Sequence, residues 1–187
     1  MLIDRTAVFI SGRGSNLQAL LDCQDSVRVS LVVSSRPNNW GVARARRANV
    51  PVLVLPNKID WHLLQQQLTA RKINRIFLLG FMKIVPGEFL NNWNRRIWNL
   101  HPSLLPHFPG LHAIEKSFDS DCSMGVTIHQ VTEGMDEGPR VMQALTLEAQ
   151  QKSCLKLSQA LTLKQAERLI SRDEQKLVRK FGEGNLF

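Results

Sequence analysis

Apolar and polar positions switch between two periods over the first hundred residues, and the switching predicts a strand–helix rhythm. Short apolar or β-branched runs read as strands at Thr6 to Ser11 (TAVFIS), Val27 to Ser34, Val52 to Leu55, Arg75 to Leu79 and Ile97 to His101. Between them, Leu17 to Cys23, Gly41 to Ala48 and Trp61 to Lys72 are helical in period, the last with apolar residues at 61, 63, 64, 68 and 70. This order implies an α/β fold built on one doubly wound, mostly parallel sheet, Rossmann-like in outline. Further on, Gly125 to Val131 and Val141 to Leu147 predict two more strands, about seven in all, around a loop marked by the glycines and proline of 132–139. Leucines at 155, 157, 161, 163 and 169 predict two helices between Gln151 and Lys180, divided near Ser171 and packed over the sheet. No repeat, low-complexity tract or linker interrupts the pattern. The 187 residues are therefore expected to form a single domain.

Chemistry concentrates where the fifth predicted strand ends. Asn99 and His101 stand two residues apart, so on extended backbone both side chains face the same side. Pro102, Pro106 and Pro109 restrict the chain that follows, and Gly110 permits a turn closed to other residues. A hydrogen-bond donor beside an acid/base group at the carboxyl end of a strand suits acyl chemistry, and ligands of open α/β sheets bind at that edge. A buried histidine with satisfied hydrogen bonds is the bland alternative.

The first predicted strand runs into Ser11-Gly-Arg-Gly-Ser-Asn16 and then a helix, a layout that cradles phosphate on main-chain N–H groups or simply makes a tight turn. Leu17 stands where a dinucleotide fingerprint needs its third glycine, and no Gly-Lys-Ser/Thr follows, so nucleotide cofactors are not expected. A single phosphate monoester fits better.

Composition narrows the remaining classes. Hydrophobic residues make up 43% and charged ones 21%, an ordinary balance for a globular protein. No apolar run approaches the ~18 residues of a membrane span. Met1 to Phe9 enters a strand without the features of a secretory signal. Cys23, Cys122 and Cys154 are few, odd in number and widely spaced, which argues against a disulfide framework or zinc site and for a reducing cytoplasm. The net charge of +8 is spread along the chain without aromatic interleaving. It reads as a field favouring anionic small substrates, or as a solvated surface, rather than as a nucleic-acid interface.

Four segments in this order resemble the glycinamide ribonucleotide (phosphoribosylglycinamide) formyltransferase family. They are Ser11-Gly-Arg-Gly-Ser-Asn16, Leu79-Gly-Phe-Met-Lys-Ile-Val85, Asn99-Leu-His-Pro-Ser-Leu-Leu-Pro-His-Phe-Pro-Gly-Leu-His112 and Val131-Thr-Glu-Gly-Met-Asp-Glu-Gly-Pro139. The likeness covers about residues 5–147. It implies transfer of a formyl group from 10-formyltetrahydrofolate, as cosubstrate, to the amine of glycinamide ribonucleotide in purine biosynthesis, with no metal. By position, the resemblance assigns Asn99, His101 and Asp136 as the catalytic trio and Gly14, Ser15 and Asn16 as the substrate-phosphate loop. Met82, Lys83, Ile84 and Val85 would line the folate pocket together with Asn99. Thr132, Glu133, Gly134, Met135 and Asp136 would form the loop closing over the pterin. Asp136 is expected to orient His101 and to favour its protonated form. His129 reads as a buried structural residue, or as a group that polarises the pocket.

The carboxyl-terminal segment 151–187 departs from the family. Members carry a helix with a Glu-His pair followed by Tyr-Pro, whereas this chain has Leu161-Thr-Leu-Lys-Gln-Ala-Glu-Arg168 and no tyrosine at all. Thr162 stands in the place of the glutamate, with Glu167 a turn later. Related activities therefore stay open: formyl transfer to an amino sugar, hydrolysis of formyltetrahydrofolate, or folate binding without turnover. The expected partners are small molecules, without nucleic acid or membrane, for a monomer or homodimer in the cytoplasm.

Overall fold

All five residues of β1 (Thr6–Ile10, TAVFI) are buried, as expected of a strand covered on both faces and paired on both edges. The computed structural model describes residues 5–22, 27–93, 95–120 and 122–145. Cys23, Cys154, the predicted strand end at 146–147 and the predicted helices of 151–180, with Thr162 and Glu167, lie outside the described residues. Around β1 stand β2 (Val29–Ser34), β3 (Val52–Val54), β4 (Arg75–Leu78), β5 (Ile97–His101), β6 (Gly125–Gln130) and β7 (Arg140–Leu145). Together they form one seven-stranded sheet in the order β3-β2-β1-β4-β5-β6-β7. Pairing is parallel from β3 through β5 and antiparallel from β5 to β6 and β6 to β7.

Side chains alternating along the strands divide the core in two. Val8, Ile10, Val32, Phe77, Leu100, Val126 and Ile128 pack with Leu17 and Leu20 of α1 (Ser15–Asp22) and Ala45 of α2 (Trp40–Arg47). On the other face, Ala7, Phe9, Leu31, Val33, Ile76, Leu78 and Ile97 meet Leu64 and Leu68 of α3 (Trp61–Ala70) and Phe89 and Leu90 of α4 (Gly87–Asn91). Asn39 caps α2 by accepting from the Val42 N–H at 2.8 Å, and Asp60 caps α3 by accepting from Leu63 N–H at 2.9 Å. Both α4 and α5 (Ala113–Phe118) went unread in the sequence. At five and six residues they are too short to show a helical period.

Order and direction together place the chemistry. From β1 the chain winds outward to β2 and β3, then returns to β4 on the other side, so β1 and β4 bound the switch point at which open α/β sheets form a ligand crevice. The loops after β1, β4 and β5 all leave from this carboxyl edge. The antiparallel return of β6 sets Asn99 opposite His129 and His101 opposite Thr127.

Thr127 ties the proline loop to the sheet. Its buried hydroxyl donates to Ser103 O at 2.7 Å and accepts from Leu105 N–H at 3.0 Å and Gln143 Nε2 at 2.9 Å. Leu105 O in turn accepts from Arg140 Nη1 and Gln143 Nε2, both at 2.8 Å. Replacing Thr127 with valine keeps the shape but strands these groups, and is expected to cost about 1–3 kcal/mol. Urea unfolding measures this; an unchanged midpoint would show that the hydroxyl is dispensable.

Candidate functional site

Asp136 gathers three side chains and a main-chain N–H from three parts of the chain. Its Oδ2 lies 3.2 Å from His101 Nδ1 and accepts from Gly110 N–H at 2.8 Å. Its Oδ1 accepts from Asn99 Nδ2 at 3.2 Å and lies 3.3 Å from His129 Nε2. A carboxylate offers about four acceptor positions, and all four directions are occupied here. Asn99 and His101 come to it from adjacent same-face positions of β5, and His129 from the facing position of β6. Asp136 itself sits in the left-handed region at φ 57°, a conformation that Asp and Asn reach more readily than most residues. Phe108 and His112, at φ 54° and 60°, repeat that strain in the proline loop. Such clustering is common where a backbone is over-determined by a functional site.

Each imidazole is held between two acceptors. His101 has Phe108 O at 2.9 Å from Nε2 and Asp136 at Nδ1; His129 has Gln130 O at 2.9 Å from Nδ1 and Asp136 at Nε2. A neutral ring has one N–H and serves only one acceptor, so the frame around His101 rewards a second proton. Burial opposes it and wins: the ring is 4% exposed, and desolvation drags its pKa below the ordinary value despite the Phe108 carbonyl and the Asp136 carboxylate, with the charge of His129 adding to the fall. Asp136 therefore does favour a charged His101, yet the net shift is downward because burial outweighs that contact. For Asp136 itself burial pushes upward. Hydrogen bonds from His129 and Gly110 and the charges of His101 and His129 outweigh that and hold it below the ordinary carboxylate value.

Both shifts have the same sign for stability. With folded values depressed, the unfolded chain binds more protons over the affected range, so stability rises with pH there. The His101 contribution is present above its unfolded value of 6.5 and erodes as pH falls below it. That of Asp136 persists above 3.8 and is lost as pH falls through the lower folded value. Urea midpoints between pH 7.5 and 5 are expected to fall in the parent protein and to fall less in His101→Gln. Equal slopes would contradict a depressed His101.

The glycine loop stands at the end of β1, two strands from β5, a lateral offset of roughly 10 Å at ordinary strand spacing. Gly14 adopts φ 69°, and a β-carbon there would lie 2.6 Å from Gly41 Cα at the start of α2, so glycine is required on both counts. Ser15 and Asn16 open α1. Arg44 closes over the loop, donating from Nε to Arg13 O and from Nη1 to Gln18 Oε1, each at 3.1 Å. Ser11 Oγ accepts from Met82 N–H at 2.8 Å and from Ser35 Oγ at 2.6 Å, joining the ends of three neighbouring strands.

Met82, Lys83 and Ile84 are exposed along the rim after β4, and Val85 is half-buried. The loop of 132–136 lies against this rim: a β-carbon on Gly87 has no room beside the Glu133 carboxylate, and one on Gly110 would lie 3.3 Å from Met135 Sδ. Thr132, Glu133 and Met135 are exposed, Gly134 is half-buried, and Asp136 alone of this loop reaches the cluster. Met82, Ile84, Leu111 and Met135 thus leave an apolar fringe open to solvent next to the polar centre. His107 and His112 are exposed, the latter 3.4 Å from Glu115. The cluster's fourth member is the buried His129, whose ring touches both Asn99 and Asp136. The run Gly125 to Val131 signals its face by alternation, but not its partner.

The model of the formyl transferase family matches residues 4–172. Among curated proteins, the chain is 40% identical over 153 residues to the trifunctional purine biosynthetic protein adenosine-3 of Drosophila melanogaster, covering 75% of this chain but 11% of that much longer protein. It is 33% identical over 151 residues to the phosphoribosylglycinamide formyltransferase of Haemophilus influenzae, covering 75% of this chain and 71% of that one. Among solved structures, glycinamide ribonucleotide transformylase 1 from Symbiobacterium toebii superposes with a TM-score of 0.82 at 36% identity, covering 99% and 90% of the two chains. The phosphoribosylglycinamide formyltransferase of Anaplasma phagocytophilum gives 0.82 at 32% identity, covering 95% and 84%.

Proposed function

The chain belongs to the formyl transferase family, and from that premise we propose that it transfers a formyl group from 10-formyltetrahydrofolate to the amine of glycinamide ribonucleotide. The observation that carries the reading is the convergence of an amide, two imidazoles and a carboxylate at the end of β5, beside an apolar fringe and about two strands from a glycine loop. A nucleotide monoester spans such a distance, with its phosphate at Gly14, Ser15 and Asn16 and its amine near His101. The exposed fringe of Met82, Ile84 and Met135 suits the flat heterocycle of a folate, with Lys83, Val85 and the loop of Thr132, Glu133 and Gly134 around it.

The residues divide the work by chemistry. Attack of an amine on the formyl carbon builds negative charge on the carbonyl oxygen, and an Asn99 N–H fixed in a water-poor site stabilises it. His101, kept largely neutral by burial, takes the proton that the attacking nitrogen sheds and returns it to the departing folate nitrogen. For this a ring nitrogen must exchange its protein acceptor for the substrate. Asp136 holds the ring in place and stabilises its charged form once the proton arrives. Among the described residues no helix is long and apolar enough to cross a membrane; we place the protein in the cytoplasm, acting as one domain on small molecules, as a monomer or homodimer.

The change in absorbance as formyl leaves the folate reads the reaction directly. Glycinamide ribonucleotide, an amino sugar and water are offered in parallel as acceptors. Turnover only with the ribonucleotide is the expected result. Turnover with the sugar alone, or hydrolysis unaffected by any amine, would assign the site to a different formyl acceptor.

A further inference from the structure

We propose that His129 is a positioning residue that, with Asp136, fixes which end of the Asn99 amide faces the reacting carbonyl. This rests on the formyl-transfer reading above and deepens it. An amide has two chemically opposite ends of nearly equal size, and packing alone does not choose between them. Only the N–H end stabilises an oxyanion; the oxygen end repels it.

The geometry makes the choice. Asn99 Nδ2, His129 Nε2 and Asp136 Oδ1 form a nearly equilateral triangle with sides of 3.1, 3.2 and 3.3 Å. His129 is 2% exposed, and its Nδ1 is committed to the carbonyl of its own chain neighbour, Gln130, at 2.9 Å. In the neutral ring the hydrogen therefore sits on Nδ1, and Nε2 presents a lone pair. Lone pair and carboxylate are two acceptors in contact, and they repel unless a hydrogen stands between them. Asn99 Nδ2 supplies that hydrogen. In the charged ring the Nε2–H is spent on the carboxylate, and an amide oxygen turned inward would meet Asp136 Oδ1. Either way the oxygen end is excluded.

The same triangle leaves one N–H to spare. Seen from Nδ2, the two partners lie about 60° apart, whereas the two N–H bonds of a planar amide diverge by about 120°. One bond serves the pair, and the second points away from it, free for a substrate oxygen. Among the described residues no other charged group of the packed elements meets the triangle. Arg140, opposite His129 on β7, sends its guanidinium to Leu105 O, and His101 of β5 meets Asp136 on the other carboxylate oxygen. Glu133 and Glu137 of the loop are exposed.

A double-mutant cycle in turnover separates this role from a merely structural one. His129→Phe in the full chain is expected to lower kcat about 10-fold or more while both KM values stay within about threefold, because a donor present only part of the time loses part of the ~10²–10³ an oxyanion donor supplies. On an Asn99→Ala background the same substitution is expected to change kcat less than about threefold, because the amide it positions is gone. His129→Gln, whose Oε1 accepts from Asn99, restores part of the rate and covers the case in which phenylalanine prevents folding. Additive losses in kcat, or no rescue by glutamine, would overturn the proposal. Side-chain amide NMR reads the same point without activity: one Asn99 Nδ2 hydrogen exchanges slowly in the parent protein and both exchange fast in His129→Phe. Unchanged exchange refutes the positioning role. Slow exchange in the parent that is lost in His129→Phe, with no formylated ribonucleotide formed by the parent, would instead leave the positioning role standing and remove the function proposed above.

Discussion

Replacing His101 with alanine is expected to lower the rate of formyl transfer by about 10²–10⁴-fold, the usual worth of a positioned acid/base group. The substitution removes the one ring that reaches both Asp136 and the main chain of the proline loop, at 3.2 and 2.9 Å. It also leaves the other three contacts of Asp136 in place, so the carboxylate stays ionised and the loop stays anchored through Gly110. Ser103 Oγ still donates to His107 O at 2.6 Å and holds the following turn. The variant should therefore fold, bind both substrates with little change in KM, and turn over slowly. Circular dichroism checks the first point and the folate absorbance assay the others. Turnover within threefold of the parent protein would remove His101 from the mechanism.

The second large effect is expected from Asp136→Asn. Asparagine accepts the left-handed backbone at 136 as readily as aspartate, so the change tests the carboxylate and not the turn. Its amide, however, carries one acceptor and one donor where the site needs two acceptors. Turned one way, the NH2 meets the Gly110 N–H; turned the other, it meets Asn99 Nδ2. A donor faces a donor in both orientations, which costs about 1–3 kcal/mol of stability. His101 at the same time loses the anion that stabilises its charged form, and transfer is expected to fall by roughly 10²–10⁴-fold. Urea unfolding and steady-state kinetics on one preparation measure both. A variant with parent-like stability and rate would show that charge at 136 plays no part.

Most strands were legible because each is a buried apolar run with marked ends. Ile97–His101 was read to the residue, since Arg95 and Arg96 precede it and Pro102 follows it. The helices α4 and α5 escaped because five or six residues do not complete two turns. At the site, Asn99 and His101 were legible as a same-face pair because a strand's period of two is a property of the backbone. Gly110 as a main-chain donor was not, because any residue but proline offers an N–H and nothing in the side chain announces its use.

The amino-acid sequence by itself determined the alternation of elements, the glycine loop after β1 and the pairing of Asn99 with His101 on one face, all of which follow from local geometry within a few residues. The tertiary structure alone decided that β6 returns antiparallel beside β5, which sets His129 against Asn99 across thirty positions of chain, and that Asp136 turns inward to meet three side chains and a main-chain N–H. Register between distant strands is fixed by the packing of the whole sheet. A sequence read one segment at a time carries the faces of those strands but not which residue on one meets which on the other.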